Sequence, residues 1–198
     1  MIVLPNNVIG LVGMSGAGKS TVCRRFAESG YIIIDCDKVA REVAEPGGYF
    51  LREVAVLSAE LISPDGSLDR RRTAELIFNN EDARAKYNSI IYPYITYNVI
   101  EKIKKADADV LLDAPTLFDA GLEMICTHIV SVCADKDICA RRIIARDGIS
   151  EDLAAARLAS QHDISYYKER SDYCIVNNGT QDELFIAANT VIASMKGE

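Results

Sequence analysis

Short apolar runs alternate with helical patterns along the chain. Five such runs predict strands, at Val8–Val12, Tyr31–Ile34, Val110–Leu112, His128–Cys133 and Tyr173–Val176. Apolar positions recur at helical spacing from Lys19 to Ser29, which predicts a helix that ends at Gly30. A last helical pattern covers about Asp182–Met195. Because strands that alternate with helices favour parallel pairing, the pattern predicts an α/β fold with a doubly wound, five-stranded parallel sheet.

The chain between the second and third predicted strands is too long for a single crossover helix. Residues 37–108 show helical patterns throughout, with breaks at Glu45-Pro46-Gly47-Gly48, Ser63-Pro64-Asp65-Gly66 and Asn79-Asn80. We interpret this stretch as a helical insertion at the carboxyl-terminal edge of the sheet, where α/β proteins bind ligands. The predicted organisation is therefore a core of residues 1–36 and 109–198 with an insertion of residues 37–108.

A glycine-rich motif joins the first predicted strand to the first predicted helix. Residues 13–21 read G-M-S-G-A-G-K-S-T and match the phosphate-loop pattern G-x-x-x-x-G-K-S. Glycines let the backbone N–H groups turn inward at a helix N-terminus, and a chance glycine-rich turn is the alternative. The Lys19 ammonium can bridge the β- and γ-phosphates, the Ser20 hydroxyl can bind Mg²⁺, and Thr21 can reach the α-phosphate. The residues predicted to bind the nucleotide are Gly13, Ser15, Gly16, Ala17, Gly18, Lys19, Ser20 and Thr21.

Two other classes of protein that carry this loop fit the sequence less well. A GTPase has Asn/Thr-Lys-x-Asp after a late strand, whereas the chain has Ala134-Asp135-Lys136-Asp137 there. Motor ATPases are usually longer, with additional sensor and oligomerisation elements. The motif in this context therefore favours a P-loop kinase.

Two carboxylates follow predicted strands at the edge of the sheet where ligands are expected to bind. Asp37, eighteen positions after Lys19, suits a base that takes a proton from an attacking hydroxyl. The alternative is that Asp37 caps the following helix, and its spacing to Arg41 also allows an ion pair. Asp113 ends the third strand and can hold Mg²⁺ directly or through water, or can make a structural hydrogen bond instead.

An arginine-rich stretch in the last third of the chain predicts a lid. Arg142 and Arg146 share one helix face by their spacing, as do Arg157 and Gln161 on a following helix. The functional interpretation is a helical lid over about residues 141–165, whose arginines close over the transferring phosphoryl group. The alternative is a solvated charged surface.

Composition and charge limit the partners and the compartment. There are 22 Lys and Arg residues against 29 Asp and Glu, and the net charge of −7 argues against nucleic acid and anionic membranes. No apolar run approaches the roughly 20 residues of a membrane span, and residues 1–5 lack a signal-peptide pattern. The six cysteines form no C-x-x-C pair, which favours reduced thiols, and we expect a cytoplasmic protein.

Taken together, these segments resemble the dephospho-CoA kinase family. The phosphate loop is generic, but the Asp-x-Asp, Asp-Gly-x-Leu-Asp-Arg and Asp-x-Pro-x-Leu-Phe motifs are more specific, and all occur in family order. The matching segments are residues 13–21, 34–37, 39–43, 45–47, 65–70, 77–79, 112–118, 121–122, 142–148, 157–161 and 172–179.

The resemblance implies transfer of the γ-phosphoryl group of ATP to the ribose 3′-hydroxyl of dephospho-CoA. It implies a core, a helical acceptor domain and a lid, and it places Asn177 and Gly179 beside the adenine of ATP. The chain has Ile91-Tyr92-Pro93 where the family typically has Leu-His-Pro, and Pro93 is expected to break or kink its helix. Tyr92 either packs within the helices or hydrogen-bonds the acceptor. The expected acceptor contacts are Asp35, Asp37, Arg41, Tyr92 and Pro115.

The sequence therefore predicts an ATP-dependent, Mg²⁺-dependent kinase of dephospho-CoA that is a monomer or a weak homo-oligomer. Its predicted catalytic residues are Lys19, Asp37, Arg142 and Arg146, and its predicted metal ligands are Ser20 and Asp113. One alternative is a related kinase of another small alcohol or nucleotide, which would differ only in the helical insertion. The other is a nucleotide-binding regulator without turnover, which would lack the base or the metal ligands.

Overall fold

The computed structural model describes residues 7–197, and the signal-peptide prediction from residues 1–5 lies outside this range. The described residues form two compact units. The first comprises residues 7–34 and 106–197, and the second comprises Asp35–Lys105. Within residues 7–197, no helix combines the length and the apolar character needed to cross a membrane.

The first unit is built on a five-stranded parallel sheet with strand order β2-β3-β1-β4-β5. Its strands are β1 (Val8–Gly13), β2 (Ile32–Asp35), β3 (Val110–Asp113), β4 (His128–Cys133) and β5 (Tyr173–Val176). The central strands read as continuous apolar runs because both of their faces are buried. Fully buried side chains on them include Ile9, Leu11, Leu111, Leu112, Val130 and Val132. The predicted sheet is confirmed, and every predicted strand end lies within one residue of the observed one.

Helices connect the strands and make up most of the second unit. In chain order they are α1 (Lys19–Glu28), α2 (Cys36–Val43), α3 (Tyr49–Leu57), α4 (Arg70–Asn79), α5 (Glu81–Lys104), α6 (Lys136–Asp147), α7 (Glu151–Ala159), α8 (Ile164–Glu169) and α9 (Gln181–Lys196). Short 3₁₀ turns lie at Ala59–Leu61 and Leu122–Ile125. In the first unit, α1 packs on α9 and α6 packs on α7.

The second unit is organised around the long helix α5, which packs against α2, α3 and α4. The Phe50 ring is buried and meets the rings of Tyr87 and Tyr94 edge-on, each at 5.9 Å between centroids. One stretch departs from the predicted all-helical pattern, because Ile62 and Leu68 pair as an isolated antiparallel bridge. Of the break or kink predicted at Pro93, the break is wrong, since α5 runs through Pro93 without interruption, and the kink stays a prediction.

Candidate active site

The phosphate loop links the end of β1 to the start of α1. Its backbone is tied to the neighbouring strand, because the Met14 N–H donates to the Val132 carbonyl at 3.1 Å and the Met14 side chain is buried. Gly13 has a φ of +154°, and a Cβ built there would lie 2.2 Å from the same carbonyl oxygen. Gly18 precedes α1 with a φ of +103°, in the left-handed region that favours glycine. The path of the loop therefore depends on glycine at both ends.

Lys19 and Asp113 meet at the carboxyl-terminal edge of the sheet. The Lys19 ammonium donates to Asp113 Oδ1, and the two side chains are 17% and 21% exposed. Asp113 is the last residue of β3 and pairs in register with Leu11, two residues before Gly13. Ser20 follows Lys19 in the first turn of α1 and is exposed. The structure thus brings the predicted phosphate-binding lysine together with a predicted metal ligand.

Asn177 supports the phosphate loop from the end of β5. Its side chain is 6% exposed, and Nδ2 donates to the Ala17 carbonyl at 2.7 Å. Its backbone N–H donates to the Cys133 carbonyl, also at 2.7 Å. The side-chain amide of Asn177 is therefore engaged in holding Ala17, a role that the sequence did not reveal.

Arg142 connects the phosphate loop to the segment after β5. Its Nη1 donates to the carbonyls of Asn177 at 3.0 Å and Gly16 at 3.5 Å, and its Nη2 donates to the Gly179 carbonyl at 3.3 Å. A guanidinium has five donors in a fixed fork, so one side chain can hold carbonyls from two loops. Arg142 therefore lies on α6 as expected, but its donors are directed to backbone oxygens of the loops.

Arg146 faces a different partner, one turn further along α6. It donates through Nε to Asp147 Oδ1 at 2.7 Å, and Arg157 on α7 donates to Oδ2 of the same carboxylate. The hydrogen bonds from Arg146 and Arg157 lower the pKa of Asp147 to about 2. This carboxylate holds two arginines of the predicted lid, and the charge pattern of the sequence did not single it out.

Gln161 contacts the phosphate loop directly. The predicted sharing of one helix face by Arg157 and Gln161 is wrong, because α7 ends at Ala159 and Gln161 lies in the turn beyond it. Its Oε1 accepts a hydrogen bond of 2.8 Å from the Ser15 N–H. The turn is held in place by its neighbours, since His162 stacks on Tyr166 at 3.6 Å between ring centroids.

In the second unit, Asp35 caps α2. Its Oδ1 accepts the Lys38 N–H at 2.8 Å, so the prediction of Asp37 as the cap is wrong. Asp37 lies in the first helical turn, and its side chain is exposed. Arg41 Nη2 lies 3.9 Å from Asp35 Oδ2. Asp35 caps α2, so helix capping does not account for Asp37.

The other two predicted acceptor residues lie in different units. Pro115 is exposed just after β3, in the first unit. Tyr92 is half-buried on α5, in the second unit, next to the exposed Pro93. The neighbouring Tyr94 donates its hydroxyl to Glu53 Oε1 at 2.8 Å, and this hydrogen bond raises the pKa of Tyr94.

Comparison with known proteins assigns the chain to a family. The family model described as dephospho-CoA kinase matches residues 7–183, which include the second unit and most of the first. The chain belongs to the dephospho-CoA kinase family. Membership in the dephospho-CoA kinase family makes the chain a kinase of the transferase class and implies ATP as a substrate.

Individual relatives agree with this assignment to the dephospho-CoA kinases. The dephospho-CoA kinase of Geobacillus kaustophilus is 35% identical over 180 residues, which cover 88% of this chain and 90% of the relative. The structure of dephospho-CoA kinase from Campylobacter jejuni has a TM-score of 0.70 and 25% identity, covering 96% of this chain and 98% of that one. The structure of TT1252 from Thermus thermophilus has a TM-score of 0.83 and 28% identity, covering 98% and 99%.

Proposed function

We propose that this protein transfers the γ-phosphoryl group of ATP to the ribose 3′-hydroxyl of dephospho-CoA and so makes coenzyme A. The observation that carries the proposal is the match to the dephospho-CoA kinase model over residues 7–183. The phosphate loop and its Lys19–Asp113 pair supply the chemistry that such a transfer needs.

On the donor side, the loop amides and Lys19 bind the phosphates of ATP. When the γ-phosphoryl group is transferred, charge spreads over its oxygens, and an ammonium held at a fixed place stabilises that charge. Ser20 and Asp113 would hold Mg²⁺, because a hydroxyl and a carboxylate are hard oxygen donors and Asp113 already lies beside Lys19. Bound there, Mg²⁺ supplies further neutralisation of the phosphate charge.

On the acceptor side, we assign the base to Asp37 and the acceptor contacts to Asp35, Arg41, Tyr92 and Pro115. An exposed carboxylate in the first turn of α2 can accept the proton of the attacking hydroxyl. This role is supported by the capping bond of Asp35, which leaves the Asp37 carboxylate without that structural task. In the same proposal, the second unit is the acceptor-binding domain.

We also propose that residues 141–165 act as a lid. Arg146 is 58% exposed and held by Asp147, so a phosphate group can replace that carboxylate as its partner. Arg142 acts as a positioning residue, since its bonds to Gly16, Asn177 and Gly179 keep the phosphate loop beside the proposed adenine site. Asn177 supports the same loop through Ala17.

The remaining assignments concern the setting of the reaction. All six cysteines are thiols, which supports a reducing compartment, and we place the reaction in the cytoplasm. The net charge of −7 supports a small-molecule substrate rather than nucleic acid. We propose a monomer or a weak homo-oligomer as the active form.

The test is an ADP-release assay with ATP, Mg²⁺ and a panel of acceptors. The panel contains dephospho-CoA, nucleosides, nucleoside monophosphates and sugars. We expect turnover with dephospho-CoA well above every other acceptor, and a product that co-elutes with coenzyme A. Faster phosphorylation of another acceptor, or ATP binding without turnover of any acceptor, would refute the proposal.

A further inference from the structure

A cavity of about 210 Å³ that is open to solvent lies in the second unit, between α2, α4 and α5. Much of its wall is apolar, from the side chains of Ala40, Ala44, Leu68, Ile77 and Ile91. Its volume is below the 300–1,000 Å³ of a typical small-molecule site. It therefore suits an uncharged segment of a ligand rather than a whole nucleotide.

Helix α4 forms one wall of the cavity but buries little of its own surface. Among the side chains of residues 70–78, only Thr73 is buried, and its hydroxyl donates to the Asp69 carbonyl. Ile77 is half-buried and Phe78 is 84% exposed. Covering exposed apolar surface removes it from water and favours binding, so this wall favours a ligand with an aliphatic part.

Two arginines, Arg41 and Arg70, line the same cavity. Of three consecutive arginines, Arg71 pairs with Glu75 and Arg72 pairs with Asp69. For Arg70, which lines the cavity, no carboxylate of residues 7–197 lies within ion-pair distance. Arg41 lines the cavity from α2 and has Asp35 only at 3.9 Å. A guanidinium whose N–H groups are not occupied by a carboxylate can bind two phosphate oxygens in a bidentate manner.

Tyr87 adds a polar but uncharged group to the wall formed by α5. Burial raises the pKa of Tyr87 to about 12, and the charge of Arg70 opposes this shift. The phenol is therefore neutral at physiological pH. The charged groups that line the cavity are thus both cationic, while the rest of the wall is neutral.

We propose that this cavity binds the pantetheine arm of dephospho-CoA, with the adjoining pyrophosphate held by Arg41 and Arg70. The inference rests on the proposed function and adds how the acceptor is recognised. In dephospho-CoA, an anionic pyrophosphate is directly followed by a long uncharged arm, and the cavity presents cationic and apolar groups side by side. A nucleoside, a nucleoside monophosphate or a sugar lacks the arm and leaves the cavity without a matching group.

The first experiment measures steady-state kinetics of Arg70→Ala, with Arg71→Ala as a matched control. Arg71 is the neighbouring exposed arginine with its own partner, Glu75. We expect Arg70→Ala to raise the KM for dephospho-CoA roughly 10- to 100-fold, because a charge-assisted contact to the acceptor is lost. The KM for ATP and kcat should change less than threefold, and Arg71→Ala should match the wild type.

The second experiment uses 4′-phosphopantetheine, which contains the arm and one phosphate but no nucleoside. We expect it to inhibit competitively against dephospho-CoA and not against ATP, and to bind the wild type in calorimetry. Ala74→Leu adds bulk to the cavity wall from an exposed position of α4 and should weaken this binding at least tenfold. Melting temperatures of the variants verify that each one is folded.

The outcomes separate this inference from the proposed function. Turnover of dephospho-CoA by the wild type, together with an unchanged KM in Arg70→Ala and unchanged inhibition in Ala74→Leu, would overturn the cavity assignment and leave the proposed function standing. Absence of turnover by the wild type would refute the proposed function. Calorimetry with 4′-phosphopantetheine would still test the cavity in that case, because it does not depend on turnover, and failure of the wild type to bind would overturn the assignment.

Discussion

The Gln161 side chain and the backbone of Ser15 share a hydrogen bond of 2.8 Å, with Oε1 as acceptor and the Ser15 N–H as donor. The donor is one of the loop amides that we assign to the phosphates of ATP. A residue in the turn after α7 therefore holds an amide that the nucleotide needs. Gln161 is therefore placed to influence the affinity for ATP.

Gln161→Glu should raise the KM for ATP roughly tenfold. The carboxylate keeps the hydrogen bond to Ser15, makes it charge-assisted, and adds a negative charge beside the site for the phosphates. Gln161→Ala removes the acceptor without adding charge and should change the KM for ATP less. Steady-state kinetics with varied ATP provides the measurement, and equal values for Gln161→Glu and the wild type would contradict this role.

Lys19→Ala should lower kcat by about 10²–10³-fold. The ammonium stabilises charge that develops mainly during transfer, and loss of one such preorganised donor has an effect of that size. Lys86→Ala removes an exposed lysine of α5 and serves as the control. Normal turnover in Lys19→Ala would show that the loop is not the donor site.

Asp113→Asn should raise the Mg²⁺ concentration needed for half-maximal activity by roughly tenfold or more. The substitution keeps the shape of the side chain but removes the negative charge that would hold the metal, and loss of even an outer-shell partner of a ligand typically weakens a metal site 10- to 100-fold. The measurement is activity against Mg²⁺ concentration at fixed ATP. Asp119→Asn, an exposed carboxylate six residues later, is the comparison, and the same Mg²⁺ dependence in both variants would count against Asp113 as a ligand.

Asp37→Asn and Asp35→Ala should separate catalysis from capping. Asp37→Asn cannot accept the proton of the acceptor hydroxyl, so kcat should fall roughly 10²–10⁴-fold with the KM for ATP nearly unchanged. Asp35→Ala loses the bond to the Lys38 N–H and should destabilise the protein by about 1 kcal/mol. The readouts are kcat and the free energy of unfolding for both variants. A stability loss without a loss of kcat in Asp37→Asn would remove Asp37 from the mechanism.

Asp147 should contribute to the fall of stability in acid. Its pKa is about 2 in the folded protein against an ordinary value of 3.8, so its contribution is complete above pH 3.8 and is lost as the pH falls toward 2. Asp147→Asn should therefore show a shallower drop of melting temperature over that interval than the wild type. Asp107→Asn, which changes another exposed carboxylate, is the control. Identical slopes in wild type and Asp147→Asn would mean that the bonds to Arg146 and Arg157 do not persist in solution.

The sequence predicts the sheet well because β1, β3 and β4 are buried on both faces, and strands of this kind have continuous apolar runs in their sequence. It does not distinguish Asp35 from Asp37 as the cap, since both are good capping residues and only the observed helix start decides. The break predicted at Pro93 does not occur, because the packing of a 24-residue helix against three others outweighs the roughly 3 kcal/mol cost of an internal proline.

Long-range contacts of the site leave no local trace in the sequence. Gln161 and Ser15 are 146 positions apart, and Arg142 reaches Gly16 across 126 positions. Spacing predicts which arginines share a helix face, but it does not report which backbone carbonyls lie opposite them. The cavity beneath α4 is hidden for the same reason, since Arg41 and Arg70 come from separate helices.

The close approach of Gly13 to Val132 has an evolutionary consequence. A side chain at position 13 would collide with the neighbouring strand whether or not a nucleotide is bound. A descendant of this protein that lost its kinase activity would keep that glycine for as long as it kept the sheet, while Lys19 and Ser20 became free to drift. A glycine at this position in a relative therefore indicates only that the relative keeps the fold. A lysine and a serine at positions 19 and 20 indicate that selection has also kept the kinase activity.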